Sequence, residues 1–89
     1  MSLRGLDASK FVASSEVRLK LLGHLAKDAM TPTELAVMEK KHISHVSRAI
    51  AELRAHGLVA PVYTSSRERY YRATQHGARL YSMVADTPK

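Results

Sequence analysis

Four side chains in one short run, Ser44, His45, Ser47 and Arg48, can all donate hydrogen bonds. They interleave with Val46, Ile50 and Leu53. At about 100° per residue the apolar three gather on one side of a helix. Ser44, Arg48, Ala51 and Ala55 fall on the opposite side, with His45 and Ser47 flanking. A helix patterned in this way packs one face on a domain and offers the other to a partner rich in acceptors. Around it, Lys40, Lys41, Arg48, Arg54, Arg67, Arg69 and Arg72 stand against only Glu52 and Glu68. This local excess of cations, in a chain of formal net charge +6, suits a polyanion. A solvated basic surface is the alternative reading.

Other chemistries are poorly supplied. The chain has no cysteine, which removes disulfides, thiolate metal sites and cysteine nucleophiles. His42 and His45 are spaced to share a helical face, but no third ligand lies near, so no metal site is expected. No Gly-rich phosphate loop, carboxylate pair or nucleophile–base pair is evident, so neither an enzyme nor a cofactor is expected. No apolar run approaches the ~18 residues of a membrane span. Residues 1–10 hold no signal-like apolar stretch, and a cytoplasmic location is expected.

Holding the donor face in place requires a domain, and 89 residues make one, over residues 1–89 with residues 1–8 and 87–89 frayed. Its core must be small, so oligomerisation would help to stabilise it. The first helix is expected from about Ser9 to Lys27, strongest from Ser14 or Ser15, with Val17, Leu21 and Leu25 as its stripe. Val12 and Leu19 fall on its far side. The second helix opens at Thr31-Pro32-Thr33-Glu34, which has a capping threonine, a first-turn proline and a glutamate three residues on. It should run to about Glu39, with Leu35 and Met38 inward. Lys40-Lys41-His42 is the turn, and the donor-bearing helix runs from between His42 and Ser44 to about His56, where Gly57 stops it. Two short strands follow, Leu58 to Tyr63 and Arg69 to Ala73, joined by the polar loop from Thr64 to Glu68. Pro61 gives the first of them a free edge. Tyr63, Tyr70 and Tyr71 read as packing and strand-forming residues, Tyr70 and Tyr71 facing opposite ways. The last helix is capped by Thr74 and runs to about Ala85, with Leu80, Tyr81 and Val84 as its stripe and Met83 adjacent.

The order helix, helix, turn, helix, β-hairpin, helix resembles the winged helix-turn-helix of bacterial and archaeal regulators, above all the ArsR-type and MarR-type groups. Its carriers are Thr31-Pro32-Thr33-Glu34-Leu35-Ala36, Ser44-His45-Val46-Ser47-Arg48, Glu52-Leu53 through Gly57-Leu58-Val59, and Arg69-Tyr70-Tyr71-Arg72-Ala73-Thr74 through Gly77. Together they cover about Ser15 to Tyr81. The fold implied is mainly α with a small β-hairpin (α+β). Lys40-Lys41-His42 replaces the glycine and aliphatic residue usual in the turn. The paired cysteines of metal-sensing ArsR-type proteins are absent, and the extra helices that build a ligand pocket in MarR-type proteins have no room here, so no small-molecule ligand is expected.

The resemblance implies sequence-specific binding of double-stranded DNA and transcriptional regulation, as a repressor. A non-specific architectural role on nucleic acid and a protein-interaction module are the alternatives. The third helix would enter the major groove, where Ser44, His45, Ser47 and Arg48 meet base edges or phosphates. The fork of Arg48 matches the two acceptors of guanine, unless it pairs with Glu52 one turn on. Thr31, Thr33, Lys40, Lys41 and His42 would hold phosphates, the threonines at a helix N-terminus that favours anions. Arg67 and Arg69 on the wing would reach the minor groove. A homodimer is expected, built from Val12, Leu19, Leu80, Tyr81, Met83 and Val84.

Overall fold

The computed structural model describes residues 10–65 and 67–85. Its elements are α1 (Glu16–Lys27), α2 (Pro32–Glu39), α3 (Ile43–Ala55), β1 (Val59–Val62), β2 (Tyr70–Ala73) and α4 (Gln75–Ala85). This is the expected order. The frayed ends expected at residues 1–8 and 87–89 lie outside the described residues.

The expected helix from Ser9 to Lys27 is broken, and the two serines break it. Residues 10–13 are helical, and the Ser14 hydroxyl donates back to the Phe11 carbonyl at 3.1 Å. Ser15 is extended, and its side chain accepts from the Arg18 N–H at 3.2 Å to cap α1. Small hydroxyl residues compete with the helix for backbone groups and so favour such junctions. The break turns Val12 inward, where it is fully buried beside Leu21, Leu22 and Leu25.

At α2 the capping box forms on both sides. The Thr31 hydroxyl accepts from the Glu34 N–H at 3.1 Å, and the Glu34 carboxylate accepts from the Thr31 N–H at 2.9 Å. The inward face differs from expectation: Leu35 and Ala36 are buried, while Met38 is 54% exposed. Glu39 explains the rotation. It lies on the same side as Leu35, and its carboxylate meets His24 Nε2 of α1 at 2.6 Å. A polar pair thus occupies the position that an apolar contact was expected to fill.

Both ends of the turn-bearing region are closed by left-handed residues. Lys40 has φ 54° and ψ 46°, and the Lys41 N–H reaches the Ala36 carbonyl at 3.0 Å. Gly57 has φ 72°, its N–H reaches the Arg54 carbonyl at 2.9 Å, and the Leu58 N–H reaches that of Leu53, also at 2.9 Å. These paired bonds satisfy the last carbonyls of each helix. Leu53 and Leu58 are both fully buried, which adds the apolar contact that favours such a stop.

The hairpin is antiparallel, with Val59 opposite Ala73 and Pro61 opposite Tyr71. Tyr71 exchanges both backbone bonds with Met30, which makes a third, isolated rung on the far side of β2. Tyr71 therefore turns its backbone groups away from β1. Pro61 faces a non-hydrogen-bonded position, and its missing N–H costs the ladder nothing. The two tyrosines alternate as expected, Tyr71 buried and Tyr70 half-buried.

Thr74 joins the hairpin to α4. Its hydroxyl accepts from the Gly77 N–H at 3.0 Å and donates to the Gly57 carbonyl at 2.7 Å. One side chain thus caps α4 and ties it to the end of α3. Gly77 permits the approach: a Cβ there would lie 2.8 Å from the Leu58 carbonyl carbon and closer still to its oxygen. Gly23 of α1 similarly leaves space for the Tyr81 ring of α4.

Candidate nucleic-acid interface

Burial divides α3 as its pattern foretold. Val46, Ala49, Ile50 and Leu53 are buried, and Ser44, His45, Ser47, Arg48, Ala51, Arg54 and Ala55 are exposed. The small side chains Ala51 and Ala55 sit near the outward pole, so a partner can approach the helix closely. Lys40, Lys41 and His42 are exposed in the turn that leads into it. His42 occupies the cap position with no side-chain cap bond, which leaves its ring outside the helix's own bonding.

Arg48 is not paired with Glu52. The Glu52 carboxylate turns instead to α1, where Arg18 Nε lies 3.2 Å away. Arg18 also donates to the Phe11 carbonyl at 3.0 Å, and its guanidinium carbon lies 3.9 Å from the centre of the Phe11 ring. That ring is also stacked on His56, with the ring centres 4.1 Å apart. Phe11, Arg18, Glu52 and His56 therefore form one clasp that fixes the far end of α3 against α1 and the segment before it. Among the described residues Arg48 makes no ion pair.

The threonines separate. Thr33 is exposed at the start of α2, whereas Thr31 is 5% exposed and its hydroxyl is engaged in the capping box. The capping box thus occupies the Thr31 hydroxyl, while the Thr33 side chain stands open at the same helix start. On the wing, Arg67 and Arg69 are exposed, and the Tyr70 hydroxyl donates to Glu68 at 3.3 Å. Tyr63, expected to pack, is 87% exposed just beyond the end of β1.

The apolar residues expected at a dimer interface also separate. Val12 and Leu80 are consumed by the core of this chain. Leu19, Tyr81 and Val84 are half-buried against that core, and Met83 remains exposed.

No protein-family model matches the chain, and no curated protein is similar to it in sequence. Solved structures are similar in shape. The adhesin competence repressor AdcR of Streptococcus pyogenes superposes with a TM-score of 0.74 at 20% identity, over 80% of this chain and 55% of that one. A single-site mutant of ZitR from Lactococcus lactis gives 0.74 at 18% identity, over 80% of this chain and 50% of that one. MepR, a transcription regulator of the Staphylococcus aureus multidrug efflux pump MepA, gives 0.75 at 17% identity, over 92% and 65%. The chain has the winged-helix fold of these regulators. The resemblance to winged helices of the MarR type thus holds at the level of fold. The chain spans about half the length of AdcR and ZitR.

Within that fold α2 and α3 are the helix-turn-helix and β1–β2 the wing. Several stabilising residues of this arrangement lie outside the sequence-derived set. Arg18 and Glu52 are separated by 34 residues, and no local pattern links them. His24 and Glu39 likewise meet from different helices, 15 residues apart, with no local pattern to link them. Arg54 belongs to the same exposed face as Ser47, although it lies in the last turn of α3, beyond the run of donors that marks the face in sequence. Its spacing from Ser47 and Ala51 is the signal that could have found it. No helix among the described residues is long and apolar enough to cross a membrane.

Proposed function

We propose that this chain binds double-stranded DNA in a sequence-specific manner and regulates transcription by occluding a promoter. The observation that carries the reading is the outward face of α3, where donors and small residues alternate and Arg48 is left free by the Arg18–Glu52 pair. The α3 helix would enter the major groove, with Arg48 reading a base and Ser44, His45 and Ser47 meeting base edges or phosphate. Lys40, Lys41, His42 and Thr33 would hold the backbone, and Arg67 and Arg69 would reach the minor groove.

The same reading includes a homodimer formed through the α4 edge that presents Met83, Val84 and Tyr81, with Leu19 beside it. Two-fold symmetry would then require a roughly palindromic site with half-sites about one helical turn apart. Light scattering at micromolar concentration tests this, and a monomer there would remove the palindrome from the account.

Selection from a random-sequence duplex library, followed by fluorescence anisotropy at about 50 and 200 mM salt, tests the function itself. Steep salt dependence with enrichment of one motif supports a sequence-specific regulator. Salt-sensitive binding without enrichment means an architectural role. No binding at the lower salt overturns both and directs the search to protein partners.

A further inference from the structure

Two grooves flank α3, and they differ in charge. The one on the α1 side, of about 200 Å³, carries the Glu52 carboxylate beside Arg18 and Arg48. The one on the wing side is larger, about 420 Å³, and among the described residues no carboxylate lines it. It lies between Pro32 at the start of α2, Tyr71 of β2, and Ser47, Ala51, Arg54 and Ala55 of α3. Ser47, Ala51 and Arg54 follow one another at helical spacing down one side of α3. The alanine between them is small and leaves the cleft open. Arg54 is exposed, and no acid stands three or four residues away from it along α3. Glu52, two residues before it, is turned to Arg18 on the opposite flank. Among the described residues Arg54 makes no ion pair.

We propose that this cleft seats one strand of a nucleic-acid backbone, with Arg54 as a phosphate ligand and the Ser47 hydroxyl as a second donor at its other end. The inference rests on the DNA-binding reading above and deepens it. Position and charge both select this occupant. With α3 in the major groove and the wing in the neighbouring minor groove, the strand that divides the two grooves must cross between them. The cleft lies between those two elements, and among the described residues its one charged lining group is a cation. Ser47 and Arg54 are about 10 Å apart along the helix axis, so they meet different phosphates. Arg54 therefore contributes affinity that is independent of base sequence, while Arg48, nearer the outward pole of α3, contributes discrimination.

The competing explanation for Arg54 is its place in the last turn of α3, where a cation favours the helix dipole. That role would show in thermal stability and leave the salt dependence of binding unchanged. The test is anisotropy with a short labelled duplex of mixed sequence across a range of salt, together with thermal melts. The proteins compared are wild type, Arg54→Ala, Arg54→Lys, Lys41→Ala and Arg79→Ala, the last removing an exposed cation of α4 that does not line the cleft. The expected result is that Arg54→Ala weakens binding at least about threefold and makes the log–log salt slope shallower by about 0.9. Arg54→Lys restores the slope, and Arg79→Ala leaves it unchanged. An unchanged slope and affinity in Arg54→Ala, with Lys41→Ala still weakening binding, would overturn this inference and leave the DNA-binding reading standing. Absence of binding by the wild type would overturn both.

Discussion

Arg18 Nε in α1 lies 3.2 Å from the Glu52 carboxylate in α3, and this contact decides the electrostatics of the outward face. Without it Glu52 would stand one helical turn from Arg48, in position to neutralise it. Arg18→Met should therefore lower DNA affinity even though Arg18 is not at the interface. Loss of a partly exposed ion pair itself should cost the fold only about 0.2–1 kcal/mol. Adding Glu52→Gln should restore affinity, because no carboxylate then remains to engage Arg48. Anisotropy on the single and double variants checks this, and failure of the second change to rescue would show that Arg18 acts only through stability.

Gly77 is held against a backbone group, which makes it the most tightly constrained of the described glycines. A Cβ there would collide with the Leu58 carbonyl, whose oxygen also accepts from the Thr74 N–H at 3.0 Å. Neither side can yield without loosening the joint between α3, the hairpin and α4. Gly77→Ala should destabilise by the upper part of the ~1–3 kcal/mol seen on overpacking, or more. Denaturant unfolding measures it. A change within ~0.5 kcal/mol would mean that the joint is looser than described.

Lys40 separates folding from binding. A non-glycine residue in the left-handed region costs roughly 1–2 kcal/mol, and Lys40 sits there at φ 54°. Lys40→Gly should raise the melting temperature. If Lys40 holds a phosphate, the same change should weaken DNA binding, so the two readouts move in opposite directions. A variant that is more stable and binds equally well would remove Lys40 from the interface.

The wing carries a titration signature. The negative charge of Glu68, together with its hydrogen bond from the Tyr70 hydroxyl, raises the Tyr70 pKa above that of an ordinary tyrosine. The neutral phenol is favoured in the folded state. Its contribution is complete below the ordinary tyrosine value of about 10 and is lost as pH rises through the raised one. Ultraviolet difference titration should therefore find Tyr70 ionising above the ordinary tyrosine value, and Glu68→Gln should bring it back. An unchanged titration would place Tyr70 and Glu68 apart.

What the sequence disclosed follows from the range of the forces involved. The Thr31–Glu34 capping box, the Gly57 stop and the Thr74 cap of α4 each act within five residues, so their residue types announce them. The outward face of α3 is equally local, because one helix creates it. The Met30–Tyr71 rung, the Arg18–Glu52 pair and the His24–Glu39 contact join segments distant along the chain, and nothing in either member specifies the other. Val12 departs from its expected outward place because two serines interrupt a helix that the hydrophobic period alone would continue. Met38 departs from its expected inward place because a histidine–carboxylate pair, rather than an apolar stripe, sets the rotation of α2.

The most direct measurement of the central claim is the binding of Arg48→Ala to the selected duplex and to its single-base variants at fixed salt. If α3 reads bases through Arg48, the variant loses about 1–3 kcal/mol on the preferred site and no longer discriminates at one base position. Equal weakening on every duplex, with all preferences intact, would contradict that claim and reduce Arg48 to a contact with the phosphate backbone.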